Sequence, residues 1–422
     1  MTGAEFESRR AVEAIRAGVP NRDAVRALGS CQPHLEERFE EGLRACGDAA
    51  EEGKQARGLL IAGDFGSGKS HLLEHLHHLA LERNFISSKI VVSKETPLYD
   101  PAKLYRAAID AAVAPGRQGN AIREIAQTLQ AAPGYSAFSQ RIMSDSSGLD
   151  ARFSATALIF DRVGTRDLEL RDRVLSFWSG RRINLNEVKR ALRQLGERTA
   201  YRLGRIPERE LALQRFRFAG QLFTAAGYAG WVLLVDEVEL ISRYSLLQRA
   251  RSYAETARWM GALGDEQSCP SLFSVLAVTP DLQTEVIEGR DDRERVRARL
   301  TARGQPEDLL LASNAEKGMR ELARPVRLRA PAREQIEAVG ARLREIHATA
   351  YGWDPPSDLV FDRQESVPLR LHIRSWINKW DLQRLYPAYR PELEATVVEQ
   401  EYTEDRDLEV AAEPEADGNG SS

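Results

Sequence analysis

The sequence predicts an α/β fold in which a parallel sheet opens on a glycine-rich loop, carries a large helical insertion, and is followed by a C-terminal helical lid. Three observations predict it. Gly58-Leu59-Leu60-Ile61-Ala62 is a short apolar run that leads into the loop, and apolar residues recur at helical spacing from His71 onward. Gly230-Trp231-Val232-Leu233-Leu234-Val235 shows no polar alternation, as a central parallel strand covered on both faces requires. Ser271-Leu272-Phe273-Ser274-Val275-Leu276-Ala277-Val278 reads as another buried strand, ending at Thr279-Pro280.

The loop itself, Gly63-Asp64-Phe65-Gly66-Ser67-Gly68-Lys69-Ser70, fits the phosphate-cradling pattern G-x-x-x-x-G-K-[ST] at every required position. Its glycines let backbone N–H groups wrap the phosphates of ATP, and the helix start adds its positive dipole end. Lys69 then reaches the β- and γ-phosphates, Ser70 is a Mg²⁺ ligand, and His71 follows directly as a further nucleotide-site candidate. The strand ending at Val235 supplies the second half of the chemistry in Asp236 and Glu237. Carboxylates at such a strand end sit where open α/β sheets bind their ligands. Asp236 is suited to hold Mg²⁺, and Glu237 to orient and polarise the attacking water. The plainer reading of the pair is a strand end capped by acids; an upstream phosphate loop in the same chain favours hydrolysis.

Composition agrees with a large globular protein. A chain of 422 residues with 42% hydrophobic residues can bury an extensive core and holds more than one domain. No apolar run approaches a membrane span, and Met1–Arg10 has no signal-peptide core. Cys31, Cys46 and Cys269 are scattered, which fits a reducing cytoplasm and argues against both a disulfide framework and a cysteine-based zinc site. The net charge of −4 conceals a division: Glu399–Ser422 has nine acids against one arginine, leaving the rest of the chain at +4. That tail reads as disordered.

The elements then fall in order. Residues 1–50 form a helical N-terminal extension beside the nucleotide site, with turns at Gly18-Val19-Pro20-Asn21 and near Gly29-Ser30. The core spans 51–330. Its second strand is Ser88–Ser93, and the next begins only at Trp231, far too late for one crossover helix. The gap holds a helical insertion at about 101–228, with helix-like stretches at Pro101–Ala114, Asn120–Ala132, Asp167–Trp178, Leu185–Leu203 and Arg209–Ala226. Pro325–Leu328 reads as a last short strand. Residues 331–390 form the lid, with helices at Ala332–Tyr351 and Leu369–Leu385, and 391–422 the acidic tail.

This order resembles the AAA+ ATPases: a phosphate loop, an acidic strand, a polar residue closing the next strand, then a helical lid. Arg324-Pro325-Val326-Arg327-Leu328-Arg329-Ala330-Pro331 resembles the lid opening of the origin-recognition and helicase-loader branch. More closely, Gly63–Ser70, Val92-Ser93-Lys94-Glu95-Thr96-Pro97-Leu98-Tyr99-Asp100-Pro101, the insertion and Val235-Asp236-Glu237 resemble the BrxC/BrxD-type ATP-binding proteins of bacterial BREX antiphage systems, BrxD being nearer in size. The resemblance implies a P-loop AAA+ core, Mg²⁺-dependent ATP hydrolysis, possible homo-oligomers, and action with DNA and other defence proteins. It further implies Thr279 as a sensor of the γ-phosphate, against the plainer reading of a Thr-Pro strand terminator. It implies a second sensor at Arg370 or Arg374, and an arginine finger at Arg320 or Arg324; the sequence does not choose within either pair. The alternatives are a STAND-like nucleotide-dependent signalling switch and a helicase- or transposase-loader ATPase outside phage defence.

Two further patterns are weighed. His71, His75 and His78 share one helical face, but no acid or cysteine stands at matching spacing, so structural histidines outweigh a zinc site. From Arg181 to Arg217 there are eleven Lys or Arg and four Glu, with Phe177, Trp178, Tyr201, Phe216 and Phe218 nearby. Arg290–Arg303 adds six arginines against three acids. Both stretches read either as DNA-backbone contacts or as solvated helix faces.

Overall fold

A computed structural model of the chain describes residues 3–17, 25, 28–117, 120–144, 148–163, 166–197, 201–264, 268–357 and 369–387. The turn at Gly18–Asn21 and the acidic tail at 391–422 lie outside the described residues.

Six strands form one mixed, mostly parallel sheet. They are β1 (Leu59–Ala62), β2 (Ile86–Val91), β3 (Ala112–Val113), β4 (Trp231–Asp236), β5 (Leu272–Val278) and β6 (Val326–Arg327), arranged in the order β3-β2-β4-β5-β1-β6. Every neighbouring pair is parallel except the edge pair β2–β3. The unbroken apolar runs are explained by burial on two faces. Leu59 and Ile61, Val232 and Leu234, and Phe273, Val275 and Ala277 face a core built with Leu35, Phe39 and Leu43 of the helix Pro33–Glu51 and Leu72, Leu73 and Leu76 of the helix Lys69–Glu82. The intervening residues, Leu60 and Ala62, Leu233 and Val235, and Leu272, Leu276 and Val278, face the larger core on the other side. Successive strand residues point to opposite faces, so only an all-apolar run fills both cores.

The insertion supplies most of that second core. Its helices are Pro101–Asp110, Ala121–Thr128, Tyr135–Met143, Ala151–Arg162, Leu168–Trp178, Leu185–Gln194 and Glu208–Ala225. Several start where a short polar side chain caps the first turn: Asp100 accepts from Ala102 N and Lys103 N, and Asn120, Asp150, Asp167 and Asn184 accept in the same way. The insertion does not stand apart from the sheet. Phe216 stacks on Trp231 of β4 with ring centroids 5.4 Å apart, and Tyr105 and Phe223 meet the same indole edge-on. Trp178 donates through Nε1 to Thr156, and its carbonyl accepts from the Tyr105 hydroxyl.

The described N-terminal helices Gly3–Ala17 and Pro33–Glu51 go to different places. Pro33–Glu51 covers the sheet, whereas Gly3–Ala17 joins Arg333–Tyr351 and Leu369–Leu385 around a small core of Val12, Leu343, Ala350, Trp376, Ile377 and Trp380. Arg9 donates to the Ala350 carbonyl at 2.6 Å, and Arg16 pairs with Asp381. No helix among the described residues is long and apolar enough to cross a membrane.

One contact is tight enough to test the packing. A Cβ at Gly318 would lie 1.7 Å from the Tyr253 carbonyl oxygen, whereas one at Gly47 would meet nothing within 4 Å. Gly318→Ala is expected to lower stability in urea unfolding by about 3 kcal/mol or more, since backbone must move. Gly47→Ala, in an open helical position, is expected to be neutral or to gain up to about 1 kcal/mol.

Candidate functional site

Parallel pairing aligns the carboxyl ends of β1, β4 and β5 at one edge of the sheet, with β5 lying between the other two. From β1 comes the glycine loop, from β4 Asp236 and Glu237, and from β5 Thr279. The loop is tied at its start: Gly63 N donates to Val278 O of β5 at 3.2 Å, and Leu328 N, just past β6, donates to Ala62 O at 2.7 Å. Gly66 and Gly68 take φ +80° and +99°, in the left-handed region that glycine enters without strain. At Gly63 a Cβ would meet Ser67 Oγ at 2.5 Å, so a side chain there would crowd the hydroxyl of Ser67. Gly68 precedes the helix Lys69–Glu82, whose first backbone N–H groups have no partner within the helix.

Lys69 is buried, and its ammonium donates to Gly63 O at 2.7 Å and Asp64 O at 3.3 Å. Ser70 Oγ donates to Asp236 Oδ2 at 2.6 Å, joining the loop's hydroxyl to the carboxylate at the end of β4. The other oxygen, Oδ1, accepts from Glu237 N at 2.9 Å, so the Asp236 carboxylate is fixed on both sides. Glu237 has φ +57°, uncommon for a residue with a side chain. Burial, then the adjacent charge of Asp236, raises the Glu237 pKa, making the carboxylate a better proton acceptor than a free one. Thr279, 2% exposed, leaves β5 between the loop and this acidic pair. A hydroxyl and a buried carboxylate in hydrogen-bond contact form a hard oxygen donor set. Such a set suits Mg²⁺, which keeps several waters and takes phosphate oxygens as its other ligands.

The remaining predicted residues are dispersed. Asp64 and Phe65 are exposed on the loop. The Nε2 of His71 lies 2.7 Å from the Gly29 carbonyl, which ties the loop helix to the segment before Pro33, and burial lowers its pKa. His75 faces Glu36 at 3.3 Å and His78 faces Glu74 at 3.5 Å. No group of three metal-ligating side chains occurs among the described residues. Arg320 lies in the last turn of the helix Pro306–Leu322, Arg324 precedes β6, and Arg374 is on the helix Leu369–Leu385; all three are exposed, and none joins the loop. The Arg370 side chain lies outside the described residues. In the basic stretch, Phe177, Trp178, Phe216 and Phe218 belong to the core, and Arg215 is buried over Phe177 with Glu208 as its partner.

Sequence reasoning missed Glu239. It follows Glu237 by two positions on a 3₁₀ turn, Val238–Arg243, and is almost fully buried. Its Oε1 lies 4.0 Å from Lys69 Nζ and its Oε2 has no hydrogen-bond partner. Burial pushes its pKa up to about 7 against the pull of Lys69. The visible signal was a third acid in Asp236-Glu237-Val238-Glu239, directly after a buried strand.

Comparison with known proteins gives a family match. The family model described as BREX system ATP-binding protein BrxC/D matches residues 6–157 and 195–365. No curated protein matches, and no solved structure does.

Glu239 generates a pH prediction. Its folded pKa, about 7, lies above the ordinary 4.5, so its contribution to stability is complete below the lower value and lost as pH rises through the higher one. Glu239→Gln is therefore expected to match the parent in thermal unfolding near the lower value and to exceed it at about pH 8, by on the order of 2 kcal/mol. A stability difference that does not change with pH would contradict the buried, neutral carboxyl.

Proposed function

We propose, for a chain that belongs to the BrxC/D family of ATP-binding proteins of BREX phage-defence systems, a Mg²⁺-dependent ATPase of AAA+ type whose cycle drives a DNA-directed defence complex. The observation that carries this is the 2.6 Å hydrogen bond between Ser70 and Asp236. It joins a phosphate loop to an acidic strand end, a pairing suited to hold Mg²⁺ against the phosphates with Glu237 directly beside it.

In this reading the backbone N–H groups of Gly66–Ser70 hold the ATP phosphates, and Lys69 turns from the Gly63 carbonyl to the β- and γ-phosphates. Ser70 and Asp236 hold Mg²⁺, which neutralises charge on the transferred phosphoryl group. Glu237, more basic than a free carboxylate, orients the attacking water and receives its proton. Thr279 contacts the γ-phosphate or that water. The helices Arg333–Tyr351 and Leu369–Leu385, with Gly3–Ala17 packed on them, act as the lid, and Arg370 or Arg374 reaches back from it. Arg320 and Arg324 are exposed and have no carboxylate partner among the described residues, so either is available as a finger for a neighbouring subunit.

Phosphate release measured with Mg²⁺, with and without DNA, tests the proposal. Glu237→Gln is expected to lower turnover by about 100-fold or more with ATP still bound. Lys69→Ala is expected to abolish the ATP-induced rise in melting temperature. Binding without turnover in the parent protein, under every condition, would favour a nucleotide-dependent switch instead.

A further inference from the structure

The basic insertion carries an inference that rests on the DNA-directed reading and refines it. Burial sorts the cations of this stretch. Arg215 is buried with Glu208, Arg209 pairs with Glu255, and Arg217 donates to the Ser268 carbonyl. Arg181, Arg182, Lys189, Arg190, Arg193, Arg202 and Arg205 remain exposed, with no acidic partner among the described residues. Three of these occupy the outer face of the helix Leu185–Gln194, whose inner face buries Val188, Ala191 and Leu192. Lys189 and Arg193 are one turn apart, about 6 Å along the axis, with Arg190 beside them.

Of the two acids between Arg181 and Arg205, Glu187 is engaged elsewhere and Glu197 is exposed. Arg173 pairs with both Glu169 and Glu187, and Arg123 pairs with Asp172. The cationic track also continues past the helix start. A Cβ at Gly180 would lie 2.7 Å from Arg106 Cγ, so Arg106 lies directly against the turn that carries Arg181 and Arg182. Arg106 and Lys103 line an open cavity of about 400 Å³ with Thr96, Ala107 and one acid, Glu95.

What this face lacks is as informative. Single strands are held by stacking bases on exposed aromatic rings, with cations following the backbone. Every aromatic close to the run is turned inward: Phe177, Trp178, Phe216 and Phe218 are core residues, and Tyr201 is half-buried against them. The exposed aromatics among the described residues, Phe6, Phe65 and Tyr386, lie on other elements. Fixed cations on a rigid helix, with no stacking platform, suit the continuous phosphate array of a duplex.

We propose that the face formed by Arg106, Arg181, Arg182, Lys189, Arg190 and Arg193 binds the phosphate backbone of double-stranded DNA, without reading its sequence. The test is fluorescence anisotropy of the full chain with a labelled duplex and a single strand of equal length, over a range of salt concentrations. The duplex is expected to bind about tenfold tighter or better. Combined Lys189→Ala, Arg190→Ala and Arg193→Ala substitution is expected to lower the salt slope by roughly three, with the thermal melt unchanged. Arg106→Ala alone is expected to lower it by about one. Tighter single-strand binding, or a salt slope that the triple variant leaves unchanged, would overturn the duplex face while leaving DNA-directed action intact. Binding of neither form would remove the DNA-directed reading itself.

Discussion

The site depends on one constraint of sheet geometry. Because β1, β5 and β4 run parallel and adjacent, three segments far apart in sequence must emerge at the same edge. The Ser70–Asp236 hydrogen bond is the direct product of that alignment. Both faces of the sheet are covered as well, since an exposed face would not need apolar residues at nearly every position of β4 and β5. The helices Pro33–Glu51 and Lys69–Glu82 cover one face and the insertion most of the other, with Phe216 laid on Trp231. The insertion is therefore part of what holds Asp236 and Glu237 in place, and it presents its cations from a rigid base.

Much of this was legible in the sequence because it is written locally. The glycine loop, the apolar runs of β1, β4 and β5, and the capping residues Asp100, Asn120, Asp167 and Asn184 each act within a few residues of themselves. Other elements were not local. The expected second strand at Ser88–Ser93 sits two residues earlier, at Ile86–Val91, because its register is set by pairing with β4. Strand β3 has two residues and exists only through its pairing with β2. The helix Ala151–Arg162 escaped detection because Phe153 to Phe160 are all small or apolar and mostly buried, leaving a weak polar face to mark a period. Tyr135–Met143 is short and lies in a Ser-rich stretch.

Within the site the same distinction holds. Lys69, Ser70, Asp236 and Glu237 could be named from motif and strand end. Glu239 could not, since its place beside Lys69 is a distance that sequence does not carry. Likewise, only the structure could turn the aromatics of the basic run inward, or send the helix Gly3–Ala17 to the helices Arg333–Tyr351 and Leu369–Leu385 through Arg16 and Asp381.

In the proposed cycle Ser70 and Asp236 bring Mg²⁺ to ATP on the glycine loop. Equilibrium titration with a non-hydrolysable ATP analogue, in Mg²⁺ and then in EDTA, tests it most directly. Chelation is predicted to weaken binding by about tenfold or more in the parent protein, and to leave Asp236→Asn, already weakened, nearly unchanged. Equal sensitivity to EDTA in both proteins, or none in either, would contradict the account.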